Sequence, residues 1–254
     1  MNKAAFTYND TQFEELEKFA RENFGSSYDY LIHEIESEYV HTDTLLHKTA
    51  DGEKVFVTCG MGACEMNSPT NLKRCELVMW ASKKFVSTSK KGMVLASELV
   101  KMSKFPFRED TWFGTGHTMD VSKEFKEAFG YDYFAFLKLP IKVRLTGIDE
   151  AVNFLLVIPI YEAERQWCVE NNTLAFLDKL HEKYDGKEIR VDFKREMFIP
   201  ENLDDEELSE YQVMAILGVD KPTLQKLGDY LDEQEQKGIE TTYDMISEWM
   251  KENG

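Results

Sequence analysis

The stretch Val40-His-Thr-Asp-Thr-Leu-Leu-His-Lys-Thr-Ala-Asp-Gly-Glu-Lys-Val-Phe-Val-Thr-Cys59 decides the fold class. Two runs rich in β-branched and apolar residues, 40–46 and 54–59, flank Asp51-Gly52, a dipeptide that strongly favours a tight turn. Two strands joined by a tight turn pair antiparallel. The stretch therefore predicts a β-hairpin and a sheet that is at least partly antiparallel.

Further strands are predicted on both sides of this hairpin. Short β-branched or aromatic runs occupy residues 30–36, 75–80, 133–139 and 154–160. Turn signals rather than helices separate the first four strands of the chain, which favours antiparallel neighbours. Pro159 cannot donate a hydrogen bond to a sheet, so the last strand is expected at a sheet edge or to end near this residue.

Helical periodicity surrounds these strands. Apolar residues at helical spacing between a Thr11–Glu14 capping box and Gly25 predict an N-terminal helix. The same periodicity recurs over 92–104, and the helical stretch 161–184 is expected to break near Asn171-Asn172. The combined pattern predicts an α+β fold, with a mostly antiparallel mixed sheet flanked by helices.

The last part of the chain differs in charge and pattern. Residues 200–254 carry 15 acidic and 4 basic side chains, a net charge of -11, which leaves -6 for residues 1–199. Helices are predicted at about 205–217, 222–236 and 242–252. We expect two domains, 1–199 and 200–254. The second should be an acidic helical appendage whose apolar stripes pack on one another and on the main domain or a second subunit, rather than a solvated tail.

Composition limits the classes of partner. The chain has 254 residues, 43 % of them hydrophobic, and a formal net charge of -17. Such an acidic chain repels phosphate backbones and anionic membranes, so neither nucleic acid nor a membrane is an expected partner. A protein with a basic surface is the expected partner.

Three features favour the cytoplasm. The N-terminus has no apolar core of the length that a signal peptide needs. The longest apolar run, 153–160, is too short to span a bilayer. The four cysteines, at positions 59, 64, 75 and 168, form no CxxC pair, and reduced thiols are expected in a chain of this size.

Histidines and an aspartate suggest a metal site that strand geometry disfavours. His41, Asp43 and His47 would share one face of a strand, but six residues of strand place His41 and His47 about 20 Å apart. His41 and Asp43 would need a further ligand from elsewhere, such as His117. We therefore expect no metal and no cofactor.

Enzymatic signatures are missing from the sequence. It contains no GxSxG elbow, no phosphate-binding loop that ends in Lys-Ser/Thr, and no HExxH. Cys59 with His117 is a conceivable nucleophile and base, but Cys59 ends the apolar run 55–57, which favours a buried, inert thiol. We expect no enzymatic activity.

Two loop segments combine glycine with methionine or aromatic residues. Gly60-Met-Gly62 follows a predicted strand, where glycines permit backbone conformations closed to other residues. The segment 112–119 contains Trp112, Phe113, His117 and Met119. Such loops either anchor into the core or form a binding surface, and we expect Gly60–Met66 to lie at the surface near Trp112–His117 and to bind a partner.

Several of these segments resemble suppressor-of-fused-like domains. The resemblance extends over about residues 10–185 and rests on the order of motifs that are individually unspecific. These motifs are Phe24-Gly25 with Tyr39–Asp43, Gly60-Met-Gly62 with Met66, Cys75-Glu-Leu-Val-Met79, residues 92–119 with Gly116-His-Thr118, and Phe154-Leu-Leu-Val-Ile-Pro-Ile-Tyr-Glu-Ala-Glu-Arg165.

The resemblance implies an antiparallel-rich α+β fold without enzyme activity. Animal members of the family bind a transcription factor through a short peptide, and bacterial single-domain members are similar to immunity proteins that neutralise a toxin. This chain is short, which favours the bacterial pattern, although the acidic extension belongs to neither.

The leading hypothesis is a non-enzymatic cytoplasmic immunity protein. One alternative is a regulatory scaffold that binds an endogenous protein by strand addition at a sheet edge. The other is a metal-dependent hydrolase that uses His41, Asp43 and His117. The residues expected to bind a partner combine carboxylates with methionine and aromatic side chains. They are Tyr39, Asp43, Met61, Glu65, Met66, Trp112 and His117.

Overall fold

The predicted hairpin lies within a seven-stranded sheet. The strand order is β1-β2-β3-β4-β7-β6-β5, so β1 and β5 form the two edges. Neighbouring strands are antiparallel except for the central pair, β4 and β7, which is parallel. The expectation of a mostly antiparallel mixed sheet is therefore confirmed.

The computed structural model describes residues 6–33, 37–200, 221–237, 245, 246 and 249. Short 3-10 turns at Met61–Ala63 and Lys187–Ile189 supplement the regular elements. In chain order these elements are α1 (Asp10–Phe24), β1 (Ser26–Ile32), β2 (Asp43–Lys48), β3 (Lys54–Cys59), β4 (Cys75–Ala81), α2 (Lys90–Arg108), β5 (Thr118–Asp120), α3 (Lys123–Phe129), β6 (Tyr133–Val143), β7 (Val152–Ile160), α4 (Glu162–Glu170), α5 (Thr173–Tyr184) and α6 (Lys221–Gln236).

Helix α1 covers one face of the sheet and helix α2 the other. Successive side chains of a strand point to opposite faces. Thus Val55 and Val57 of β3 join a buried cluster with Leu16 of α1, whereas Phe56 packs in a second cluster with Leu95 of α2. Residue exposures of 0 % at positions 55, 56 and 57 show that both faces are covered.

The structure corrects the predicted cap of α1 and confirms two other local predictions. Asn9, with Gln12, forms the capping box of α1 in place of Thr11 and Glu14, because the helix begins at Asp10. Of the two alternatives for Pro159, the strand end is confirmed, because β7 ends one residue later at Ile160, whereas β7 itself lies inside the sheet. The break near Asn171-Asn172 is present, because α4 ends at Glu170 and Asn172 caps α5.

A buried ion pair joins α4 to the segment that follows α5. Both Arg195 and Glu164 have fully buried side chains. The Arg195 Nη2 group donates to Glu164 Oε2 at 2.7 Å and to the Pro159 carbonyl at 3.1 Å. The guanidinium also lies 5.1 Å from the centre of the Tyr161 ring. The pair fixes the chain after α5 against the end of β7.

The chain divides into two compact units, residues 1–205 and 206–254. In the second unit, α6 begins one residue before the predicted helix 222–236, and its Leu227 is 3 % exposed. The other two predicted helices, 205–217 and 242–252, fall largely outside the described residues. None of the described helices is both long enough and apolar enough to cross a membrane.

We expect the backbone amides of α6 to be protected from hydrogen exchange in the full-length protein. Its buried leucine indicates packing rather than a solvated helix. Hydrogen exchange measured by mass spectrometry tests this, together with the melting temperature of a chain that ends at Ile199. An unprotected α6 and an unchanged melting temperature would show that residues 200–254 are a solvated tail.

Candidate functional site

A buried carboxylate holds the loop that follows β3. Glu76 of β4 is fully buried, and its Oε1 accepts hydrogen bonds from the backbone amides of Gly60 and Gly62, each at 3.0 Å. Its other oxygen accepts from Thr58 Oγ1 at 2.6 Å, and Tyr8 Oη donates to Oε1 at 2.9 Å. Four donors thus converge on one side chain and set the course of the loop.

Gly60 is required where this loop passes the chain before β2. Its φ of 130° lies in a region that other residues rarely adopt, and a Cβ there would lie 1.9 Å from the His41 carbonyl oxygen. The close approach confirms that glycine serves the backbone at this position. It brings the loop against the segment that contains Tyr39 and His41.

Burial raises the pKa of Glu76 to about 7, although the hydrogen bonds from Thr58, Gly62, Gly60 and Tyr8 oppose this change. Desolvation disfavours the charged carboxylate more than these donors stabilise it. The Glu76 carboxylate that holds the loop therefore changes its charge near neutral pH.

An open groove lies beside this loop, and we call it the acidic groove. Its volume is about 620 Å³. The segment 37–39, the loop 64–67 and the end of α2 form its walls. It is lined by Phe6, Ser37, Glu38, Tyr39, Cys64, Glu65, Met66, Asn67, Pro106, Phe107 and Asp110.

The lining combines aromatic surface with negative charge. Phe6 and Tyr39 are 50 % and 43 % exposed. Glu38, Glu65 and Asp110 supply three carboxylates, and no lysine or arginine is among the described residues of the lining. Three of the predicted partner-binding residues, Tyr39, Glu65 and Met66, thus meet in one groove, although Met66 is only 4 % exposed and contributes to its floor.

Trp112 and His117 line a different pocket, which we call the aromatic pocket. It measures about 390 Å³, and the ring centres of these two residues are 4.3 Å apart. Burial lowers the pKa of His117, which favours the neutral imidazole. Arg165 lies over Tyr133 on the pocket wall, with 5.0 Å between the guanidinium and the ring centre. The pocket borders the edge strand β5, which contributes Thr118–Asp120 to it.

The Gly60–Met66 loop was expected near Trp112–His117; both loops adjoin the end of α2, but they line different pockets. Their role in partner binding stays a prediction. The end of α2 contributes Pro106 and Phe107 to the acidic groove, and Phe105 and Arg108 to the aromatic pocket. The two loops thus line separate pockets at this helix end.

Met61 was assigned wrongly as a contact residue. It is 1 % exposed and packs in the α2 core, because the 3-10 turn at Met61–Ala63 directs it inward. The glycines on either side therefore allow the backbone turn that places Met61 in the core, and they do not mark a binding surface.

Asp43 is also misplaced as a direct partner contact. Its side chain is 8 % exposed and lies between two imidazoles, with Oδ1 3.0 Å from His33 Nδ1 and 3.3 Å from His41 Nε2. His47 points elsewhere and donates through Nδ1 to the Gly25 carbonyl at 3.2 Å. His33, rather than His47 or His117, therefore lies beside His41 and Asp43.

The thiol alternative lacks support. Cys59 is 2 % exposed, and burial raises the pKa of its thiol well above the usual value. His117 lies in the aromatic pocket, whose lining does not include Cys59. Cys59 is therefore an inert core residue.

Comparison with known proteins identifies the family. The family model described as suppressor of fused protein (SUFU) matches residues 38–196, which is more than half of the chain. The chain belongs to the SUFU family. The matched residues include two walls of the acidic groove, namely the loop 64–67 and the end of α2. They also include every residue that lines the aromatic pocket.

Solved structures of SUFU proteins are similar to this chain. The crystal structure of a SUFU homolog from Neisseria gonorrhoeae is 15 % identical, with a TM-score of 0.53, and the match covers 77 % of this chain and 98 % of the other. A chain of the Sufu–Fu complex structure is 9 % identical with a TM-score of 0.49, and the match covers 74 % and 90 % of the two chains. No curated protein sequence matches this chain.

Sequence reasoning missed several residues of this SUFU-family site. Glu38, Phe107 and Asp110 line the acidic groove, but no motif marks them. Asp110 has a φ of 49°, a left-handed conformation in which aspartate is enriched. An aspartate two residues after α2 ends at Arg108 was therefore the one sequence signal for a turn at this edge of the groove.

Proposed function

We propose that this SUFU-family protein is a non-enzymatic cytoplasmic protein that binds another protein in the acidic groove. The observation that carries this proposal is the lining of the groove, which joins half-exposed Phe6 and Tyr39 to three carboxylates. A basic side chain flanked by apolar residues on the partner complements such a surface in both charge and shape.

The physical properties of the lining suit recognition. Tyrosine supplies rigid contact area at a small entropic cost and is enriched among residues that dominate binding energy. The carboxylates of Glu38 and Asp110 attract and orient a basic partner, which increases the association rate. Glu65 is partly neutralised by Arg74, whose Nη2 lies 2.9 Å from its Oε1.

The immunity role is the finer part of the proposal. The resemblance to bacterial single-domain members supports it, as does the net charge of -17, which suits a partner with a basic active site. In this role the groove covers a basic segment of a toxin and blocks it without chemistry.

We expect the double variant Glu38→Lys with Tyr39→Asn to bind the partner at least about tenfold more weakly than wild type. The lysine reverses one groove charge. Asparagine removes the ring but tolerates the left-handed backbone at position 39, where φ is 66°. The partner is captured from the source cells on the immobilised full-length chain, and its affinity is then measured with purified proteins.

Glu22→Lys is the matched control, since it makes the same charge reversal at an exposed position of α1. It should leave the affinity within about twofold of wild type if contacts, rather than net charge, decide binding. If both variants lost affinity equally, the acidic groove would not be the binding site.

Co-expression separates the immunity role from its alternative. An immunity protein restores growth to cells that produce the captured partner, and the groove variant does not. The regulatory scaffold would be favoured by a partner that is harmless to cells and that no longer binds when β5 is altered. Strand addition requires a sheet edge, and β5 is an edge strand beside the aromatic pocket.

A further inference from the structure

His33, His41 and Asp43 form a compact set of potential metal ligands outside the acidic groove. One donor atom from each lies within 4.8 Å of the other two. The antiparallel register explains this proximity, because Ile32 of β1 pairs with Thr44 of β2 and so places the next residue, His33, beside Asp43. His41 reaches the same carboxylate from the segment that enters β2.

Two of the three ligand separations match those around a tetrahedral ion. Zinc binds imidazole nitrogen and carboxylate oxygen at about 2.0–2.2 Å, so two of its ligands lie about 3.3 Å apart in a tetrahedral site. Asp43 Oδ1 lies 3.0 Å from His33 Nδ1 and 3.3 Å from His41 Nε2. Two imidazoles also favour zinc or a similar transition metal over magnesium or calcium, which prefer oxygen ligands.

The contacts of His41 suit this role. Its Nδ1 lies 2.9 Å from Ser37 Oγ, and its Nε2 faces the shared site 3.3 Å from Asp43 Oδ1. In the tautomer in which Nδ1 donates to Ser37, Nε2 is the nitrogen that can bind a metal. Its backbone is fixed as well, because its amide donates to the Phe6 carbonyl at 2.8 Å and its carbonyl packs against Gly60. A preoriented ligand lowers the entropic cost of metal binding.

We propose that His33 Nδ1, His41 Nε2 and Asp43 Oδ1 bind one zinc-class divalent ion, with water in the fourth position. With 65 % of the His33 side chain accessible, solvent water can reach the ion. This site revises the expectation of no metal, which did not consider His33. The inference does not depend on the proposed function, because its test measures metal rather than partner binding.

Zinc at this site acts as a clamp on the groove wall. In the sequence, His33 precedes residues 37–39, and His41 and Asp43 follow them. The proposed ligands therefore lie on both sides of this part of the groove wall. Closing the ends of this segment restrains residues 37–39, which line the acidic groove. Metal binding would therefore pre-organise the aromatic and acidic side chains that we assign to the partner.

We expect the tag-free full-length protein to bind one equivalent of zinc, measured by isothermal titration with zinc chloride and by elemental analysis after dialysis. His33→Gln should weaken binding at least about 100-fold, because even outer-shell partners of a metal site contribute about 10- to 100-fold. Cobalt in place of zinc should give visible absorption bands of a four- or five-coordinate ion, which His33→Gln abolishes.

His181→Gln is the matched control. His181 Nδ1 lies 2.9 Å from Glu188 Oε1, so it forms a histidine–carboxylate pair with a similar exposed fraction, 69 % of the side chain. This variant should keep full zinc binding. Zinc that binds without a defined stoichiometry, or equally well to His33→Gln, would overturn the proposal. Because His33 is exposed, that variant is expected to fold, and its melting curve checks this.

Discussion

Replacing Arg195 by methionine is expected to lower the free energy of unfolding by about 3–5 kcal/mol, the range observed when one partner of a buried ion pair is removed. The Glu164 carboxylate would remain in a fully buried position without its cation. Among the described residues it would keep two donors, the backbone amides of Tyr161 and Phe198, each 2.8 Å from a carboxylate oxygen. Denaturant unfolding monitored by circular dichroism measures the change.

Two further variants test the cause. Adding Glu164→Gln to Arg195→Met removes the stranded charge and keeps an acceptor for one of the two amides. We therefore expect the double variant to recover part of the loss. Arg21→Met makes the same substitution in an ion pair of α1 whose arginine is 56 % exposed, and such pairs contribute little. If Arg195→Met and Arg21→Met destabilised the protein equally, burial of the pair would not be the reason.

Glu76 should make the protein less stable as the pH rises from 4.5 towards 8. Its pKa is about 7 in the folded state and near 4.5 in the unfolded state, so the folded chain holds more protons in between. Stability from this group is therefore complete below pH 4.5 and is lost as the pH rises through 7. The difference of pKa corresponds to about 3 kcal/mol.

The comparison of wild type with Glu76→Gln isolates this effect. Burial lowers the pKa of His47 and His117, and these groups change stability in the opposite direction below pH 6.5. They contribute equally to both proteins and cancel in the difference. We expect Glu76→Gln to gain about 3 kcal/mol relative to wild type between pH 5 and pH 8. Parallel curves for the two proteins would show that Glu76 keeps an ordinary pKa.

Local signals were enough to predict much of the fold. Asp51-Gly52 connects β2 and β3 as expected, and Gly52 has a φ of 88°. Gly25 ends α1, as its position after an apolar helical stripe predicts. Each of these features depends on a few adjacent residues, and a local sequence pattern is therefore enough to predict it.

Contacts between distant residues account for what was missed. Glu164 and Arg195 are 31 residues apart, and nothing beside either residue indicates the other. Met61 has the flanking glycines of a surface loop, but Glu76 turns the backbone so that its side chain enters the core. His33 meets Asp43 only through the register of β1 and β2. Each case requires the tertiary fold, which a pattern of residue types does not contain.

The central pairing of β4 with β7 also constrains biosynthesis. The end of β7 lies 79 residues after the end of β4, so at ordinary translation rates the ribosome completes β7 roughly 4 to 16 s after β4. During this interval the nascent chain presents the open edge of β4, whose side chains are nearly all apolar and destined for the interior. Such an edge is a template for pairing with another chain. Chaperones that bind extended apolar segments should therefore act on this protein chiefly within that window, before the second half of the sheet arrives.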